Sequence, residues 1–247
     1  MFRNLIPLLA SNFHVVAPDL PGFGFTTVDC HYEYTFDNLA NTVHDFVSAV
    51  GLSKYIIYIF DYGSPVGLRL ALKDPSAVNG IIVQNGNAYE EGLDDRFWAP
   101  LKSYWMKDKT DEECSRLLKD YVKNPENIMC QYLDGVEDPL KLDPSAYTLD
   151  IALFEKSKAP DIQVRLFYDY KHNVEMYPKF QEYFRTYKPS TIVLWGKNDR
   201  IFTPEGAMAY LKDIKTASLK FYDTGHFALE THVDNIAEDI LEFFNNL

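Results

Sequence analysis

The order of apolar runs along this 247-residue chain predicts an α/β fold built on a mostly parallel sheet. Short buried-strand runs alternate with amphipathic helical stretches near both ends of the chain. Three of those runs stop at a polar residue, Asp61, Asp199 or His226, and the carboxyl edge of such a sheet is where ligands bind. Between about Tyr89 and Lys188 the strand signal vanishes, which predicts that the sheet is interrupted by an insertion.

Taken in order, Phe2–Leu9 carries apolar side chains at helical spacing. It reads as a core-facing helix rather than a secretory leader, because Pro7 interrupts the run and Arg3 is its one basic residue. Phe13–Ala17 is a short apolar run ended by Pro18-Asp19, a buried strand with a turn after it. Gly22 and Gly24 lack a third glycine and an immediate helix, so they mark a strand-exit loop and not a dinucleotide site. Phe36, Leu39, Val43, Phe46, Val47 and Val50 form a helical stripe, with Thr35 as cap and Gly51 as stop. Tyr55–Phe60 is a strand, Pro65–Lys73 a helix and Val78–Gln84 the next strand.

Residues 90–187 are dense in aromatics, and their short helical stretches are broken by Pro100, Pro125, Pro139, Pro144, Pro160 and Pro178. The expectation is a helical cap, residues 90–187, inserted into a core made of residues 1–89 and 188–247. Strands then resume at Thr191–Trp195 and Ala217–Tyr222, with helix Pro204–Leu211 between them and an amphipathic helix, Val233–Phe244, at the end.

Composition removes several function classes. A net charge of −12 disfavours nucleic acid and anionic membrane surfaces as partners. No apolar run approaches the roughly 18 residues of a membrane span. Cys30, Cys114 and Cys130 are scattered and odd in number, which suggests neither a disulfide framework nor a zinc site and makes a reducing cytoplasm the default location.

Asp61 ends a buried strand and is followed by Tyr62, Gly63 and a helix. Desolvating a carboxylate there is costly, so it has a partner or a task. The strand–acid–X–Gly–helix order fits a sharp turn that lifts a nucleophile above the sheet, although taken alone it also fits a turn acid or helix cap. Asp199 and His226, each just past its own strand, decide for catalysis, because nucleophile, acid and histidine follow one another in triad order. A carboxylate attacking an ester carbonyl would give a reactive anhydride. Attack on a saturated carbon bearing a strained oxygen or a halide instead gives an ester that water can cleave with a histidine base. Asp199 would orient that base. A zinc site on His226, Glu230 and His232 competes poorly, and His14, His31, His44 and His172 read as surface or loop residues.

Asp19-Leu20-Pro21-Gly22-Phe23-Gly24, Asp61-Tyr62-Gly63-Ser64-Pro65-Val66-Gly67, Trp195-Gly196-Lys197-Asn198-Asp199 and Gly225-His226-Phe227-Ala228-Leu229-Glu230 together resemble the α/β-hydrolase superfamily. The likeness is to the branch holding epoxide hydrolases and haloalkane dehalogenases. It implies an α/β-hydrolase fold, a helical cap and no cofactor, with Asp61 as nucleophile, Asp199 and His226 completing the triad, and the Tyr62 backbone N–H as an oxyanion donor. The implied activity is opening of small apolar epoxides through an Asp61 ester. A haloalkane dehalogenase is the alternative, weakened because Tyr62 stands where those enzymes carry a halide-holding Trp. A third alternative is a catalytically impaired or non-enzymatic ligand-binding relative. Relatives acting on haloacetates carry arginines just after the nucleophile, and none lies between Asp61 and Leu68. Epoxide hydrolases use cap tyrosines as acids, for which Tyr170, Tyr132 and Tyr104 are candidates. Asn85 and Asn87 stand where some dehalogenases keep a triad glutamate, which favours Asp199 as the acid.

The same resemblance implies further strands and a His-Gly loop ahead of the first helix. The expectation is therefore a shortened chain that lacks a second oxyanion donor and the strand between Phe13–Ala17 and Tyr55–Phe60. Those two runs would pair directly or leave open edges.

Overall fold

Four strands, β1 (Tyr55–Phe60), β2 (Val78–Gln84), β3 (Ser190–Gly196) and β4 (Ser218–Tyr222), form one sheet in the order β1-β2-β3-β4. Every neighbouring pair is parallel, with Ile57 opposite Ile81, Ile82 opposite Ile192 and Val193 opposite Leu219. In this computed structural model the described residues are 1–107, 111–155 and 158–245.

Helices cover both faces, as a parallel sheet requires. On one side lie α2 (Phe36–Ala49), α3 (Gly63–Lys73) and α10 (Pro204–Asp213). On the other, α1 (Leu5–Leu9) packs with α11 (Val233–Asn245) over Ile82, Ile192 and Leu194. Helix α2 begins where the sequence places its cap: the Thr35 hydroxyl accepts from the Asn38 N–H at 3.2 Å. Helix α3 is buried from Ser64 to Ala71, so its sequence is nearly apolar all round. Its one buried charge, Arg69, is satisfied by Asp37 of α2 at 2.6 Å and by Asn173 of the cap at 2.7 Å. At Gly67 a Cβ would collide with Ile59, and this close approach sets how tightly α3 lies on β1.

Between β2 and β3 the described residues contain helices and no strand: α4 (Asp95–Trp105), α5 (Glu112–Lys123), α6 (Pro125–Leu133), α7 (Pro144–Phe154), α8 (Ala159–Asp169) and α9 (Lys171–Tyr187). Pro125, Pro144 and Pro160 sit in the first turns of their helices, where a missing N–H costs nothing. Pro100 and Pro178 differ from the expectation, since both lie inside helices that continue past them. In α9 the buried Tyr177, Phe180, Tyr183 and Phe184 offset the roughly 3 kcal/mol an interior proline costs.

The expected strand at Phe13–Ala17 does not form. The segment carries no ladder hydrogen bonds, and β1 pairs with β2 alone among the described residues. The physical reason is that no strand among the described residues stands next to it. A cavity of about 1890 Å³ is lined by Val15, Val16 and Ala17 as well as by Tyr55–Phe60, and it continues to Asp61 and His226. Its size exceeds the usual ~300–1,000 Å³ of a ligand pocket because it joins the space beside β1 to the site described next.

Candidate active site

Three strand ends supply the polar centre. After β1 the backbone turns sharply, and Asp61 adopts φ +43°, a left-handed conformation that costs a non-glycine residue of order 1–3 kcal/mol. The turn is held by the Asp61 N–H donating to Asn85 O at 3.3 Å and by the Ser64 N–H donating to Asp61 O at 2.9 Å. The carboxylate thus stands at the N-terminus of α3, whose dipole favours its charge.

Asp199 follows β3 and His226 follows β4. The turn after β3 has room for the His226 loop only because residue 196 is glycine; a Cβ there would strike Gly225 O. His226 Nδ1 lies 2.8 Å from Asp199 Oδ2, and Nε2 lies 3.0 Å from Asp61 Oδ2. Asp199 is fully buried and His226 nearly so, whereas the Asp61 side chain keeps 26% of its surface open, so the constellation is accessible at Asp61. The other Asp61 oxygen, Oδ1, accepts the backbone N–H of Tyr62.

Both imidazole nitrogens face carboxylate oxygens, which a doubly protonated ring satisfies. Burial pulls the His226 pKa down, but Asp199 and Asp61 outweigh it and push it up to about 10. The ring is wedged between Phe60, at 4.7 Å between centroids, and Phe202, at 6.0 Å. Asp199 is further fixed by the Ile201 N–H at 2.7 Å and the Asn85 side-chain amide at 2.8 Å.

The tyrosines singled out in the sequence are placed differently from one another. Tyr170 packs on Trp98 at 4.8 Å and lies close to Tyr62, but its hydroxyl is turned to the Tyr177 hydroxyl at 3.4 Å. It does not line the cavity. Tyr132 does, yet its hydroxyl donates to Asp150 and its ring stacks on Phe227 at 4.0 Å. Tyr104 lies away from the cavity, with its hydroxyl on Ser115 and its ring against Tyr168. Burial first, then neighbouring phenols or carboxylates, raises the pKa of all three. All three tryptophans spend their N–H on backbone carbonyls: Trp98 on Ile201 at 2.6 Å, Trp105 on Phe167 at 2.7 Å and Trp195 on Phe202 at 3.1 Å.

Other placements bear on the remaining expectations. His14, His31 and His172 are exposed and His44 is half-buried. Glu230 is bound by Arg3 through two contacts of 2.9 Å and does not converge with His226 and His232 on a metal position. The three cysteines are free. Among the described residues no helix is long and apolar enough to cross a membrane. Two polar residues at the site had no role assigned from the sequence. Asn85 stands at a strand end, which is a signal of a kind. Gln163, in the middle of α8, gave none.

The alpha/beta hydrolase fold family matches residues 1–233, and the chain belongs to it. It is a hydrolase of that superfamily. A Saccharomyces cerevisiae protein, "Uncharacterized hydrolase YNR064C", is 54% identical over 244 residues, covering 99% of this chain and 84% of the yeast protein. "Haloalkane dehalogenase 2" of Mycobacterium tuberculosis is 31% identical over 85 residues, 34% of this chain and 30% of that protein. The solved structure of the epoxide hydrolase CorEH superposes with a TM-score of 0.78 at 17% identity, covering 99% of this chain and 86% of that one, a likeness of fold.

Proposed function

We propose that this hydrolase opens small apolar epoxides through a covalent ester on Asp61. One observation carries the reading: an aspartate, not a serine, occupies the strained turn within hydrogen-bond reach of His226, which Asp199 holds from behind. Asp61 Oδ2 attacks a ring carbon, the ring C–O bond breaks, and its electron pair stays on the oxygen. Alkylation removes the Asp61 charge that helps keep His226 protonated, so the ring becomes more acidic as the departing oxygen requires a proton. Neutral His226 then takes a proton from water attacking the ester carbonyl, and the Tyr62 N–H receives the charge that develops on Oδ1. Relatives named as haloalkane dehalogenases and an epoxide hydrolase are compatible with this chemistry.

Haloalkane cleavage by the same ester is the second reading, and the short matches to dehalogenases favour it. Against it, the indole N–H groups are spent on backbone carbonyls. His226→Gln, incubated with epoxide and haloalkane panels and examined by intact-protein mass spectrometry, decides among the possibilities. An epoxide adduct on Asp61 supports the proposal. Adducts from haloalkanes alone, with halide released, move the function to dehalogenation. No adduct from either class in the folded protein rejects an Asp61 ester with epoxides or haloalkanes.

A further inference from the structure

We infer that the Tyr62 side chain, paired with Gln163, delivers the hydrogen bond that stabilises the oxygen leaving the attacked carbon, a role the cap tyrosines Tyr170, Tyr132 and Tyr104 do not fill. The inference rests on the Asp61 ester reading above and assigns its acid.

Tyr62 follows the attacking residue directly, and both it and Gln163 line the cavity that reaches Asp61. The Gln163 amide Nε2 donates to the Tyr62 hydroxyl at 3.0 Å, which leaves the phenolic proton available. Gln163 Oε1 is buried and has no hydrogen-bond partner, a destabilising condition unless something supplies one. If the amide is turned over, its oxygen accepts the phenolic proton and the NH₂ is freed instead. The assignment uses the first orientation, in which Gln163 donates and the phenolic proton stays uncommitted.

The ring itself is fixed by edge contacts with Phe36 at 5.0 Å and Phe23 at 6.2 Å, so the donor is preorganised. Burial, then the Asp61 charge, holds the phenol well above its ordinary pKa, and it remains protonated. The three cap phenols are engaged with Tyr177, Asp150 and Ser115. In the step, a C–O bond forms to Asp61 and the ring C–O bond breaks. The departing oxygen takes the phenolic proton, water reprotonates the phenolate, and the hydroxide so formed is neutralised by the proton that His226 gives up once Asp61 is alkylated. A leaving halide would accept the same hydrogen bond without proton transfer.

Styrene oxide in the His226→Gln background, followed by quenched-flow intact-mass spectrometry, tests this. Adding Tyr62→Phe should slow the saturating rate of Asp61 mass gain by about 10²-fold or more, with the half-saturating concentration unchanged and only the small fall in Tm that the lost Gln163 hydrogen bond brings. Gln163→Leu should slow it less, while Tyr170→Phe and Tyr132→Phe stay within a few-fold. Full-rate alkylation by Tyr62→Phe, or a larger loss in either cap variant, overturns the assignment while leaving the Asp61 ester intact. Absence of any adduct in His226→Gln alone overturns the ester reading and this inference with it.

Discussion

The side-chain amide of Asn85 donates to Asp199 Oδ2 at 2.8 Å, while its carbonyl oxygen accepts the Gly196 N–H at 3.0 Å. One fully buried residue thus ties the end of β2 to the loop that carries the acid. Asn85 does so at φ +41°, a conformation asparagine tolerates better than most residues.

Asn85→Leu should therefore fail in two ways. It takes one hydrogen bond from the buried Asp199 carboxylate, which keeps the Ile201 N–H and His226, and removes the side-chain acceptor of the Gly196 N–H, a loss of about 1–3 kcal/mol readable by urea denaturation. It also frees Asp199 to rotate, so hydrolysis of the Asp61 ester should slow more than its formation in single-turnover kinetics. Asn85→Asp should be worse for catalysis, because a second carboxylate next to Asp199 raises one of the two pKa values and disturbs His226. Equal rates for both steps in Asn85→Leu would deny the positioning role.

The pH dependence of stability follows from His226. Its folded pKa is raised from the ordinary 6.5 to about 10, so its stabilising contribution is complete below 6.5. That contribution fades as pH rises towards 10 and the folded-state imidazolium loses its proton. Thermal denaturation between pH 6 and 10 should show a falling Tm that His226→Gln flattens. Parallel curves for the two proteins would mean that His226 is not held as an imidazolium.

Arg3 and Glu230 join the start of the chain to the residues just beyond His226. Arg3→Met leaves the Glu230 carboxylate, with 1% of its side chain exposed, without its guanidinium. Because Arg3 is itself about one-third exposed, the loss should be about 1–3 kcal/mol rather than that of a fully buried pair. The double variant Arg3→Met/Glu230→Gln should recover part of it in the same chemical denaturation assay; a double variant as unstable as the single one contradicts an ion-pair origin.

Gly67→Ala drives a methyl into Ile59 and should cost about 1–3 kcal/mol by overpacking. Ile59→Ala in the same chain should lessen the penalty of the added methyl when compared in a double-mutant cycle. A fully additive cycle would show that α3 moves away from β1 instead of pressing against it.

Local sequence determined the elements whose signals are local. Tyr55–Phe60 and Val78–Gln84 occur with the bounds read from their apolar runs, because a strand with helices over both faces of its sheet is apolar along most of its length. The Thr35 cap, the sharp turn at Asp61 and the succession of Asp61, Asp199 and His226 at three strand ends were legible for the same reason. Tertiary structure decided what depends on a neighbour. Phe13–Ala17 has strand composition, yet a strand exists only where another backbone presents its hydrogen bonds, and no strand among the described residues lies beside it. The tyrosines show the same division. Composition names seventeen of them, but the direction of each phenol is set by helix packing in the cap, which turns Tyr170 to Tyr177 and Tyr132 to Asp150. Gln163 reaches Tyr62 from about a hundred residues away, a proximity that only the folded cap creates.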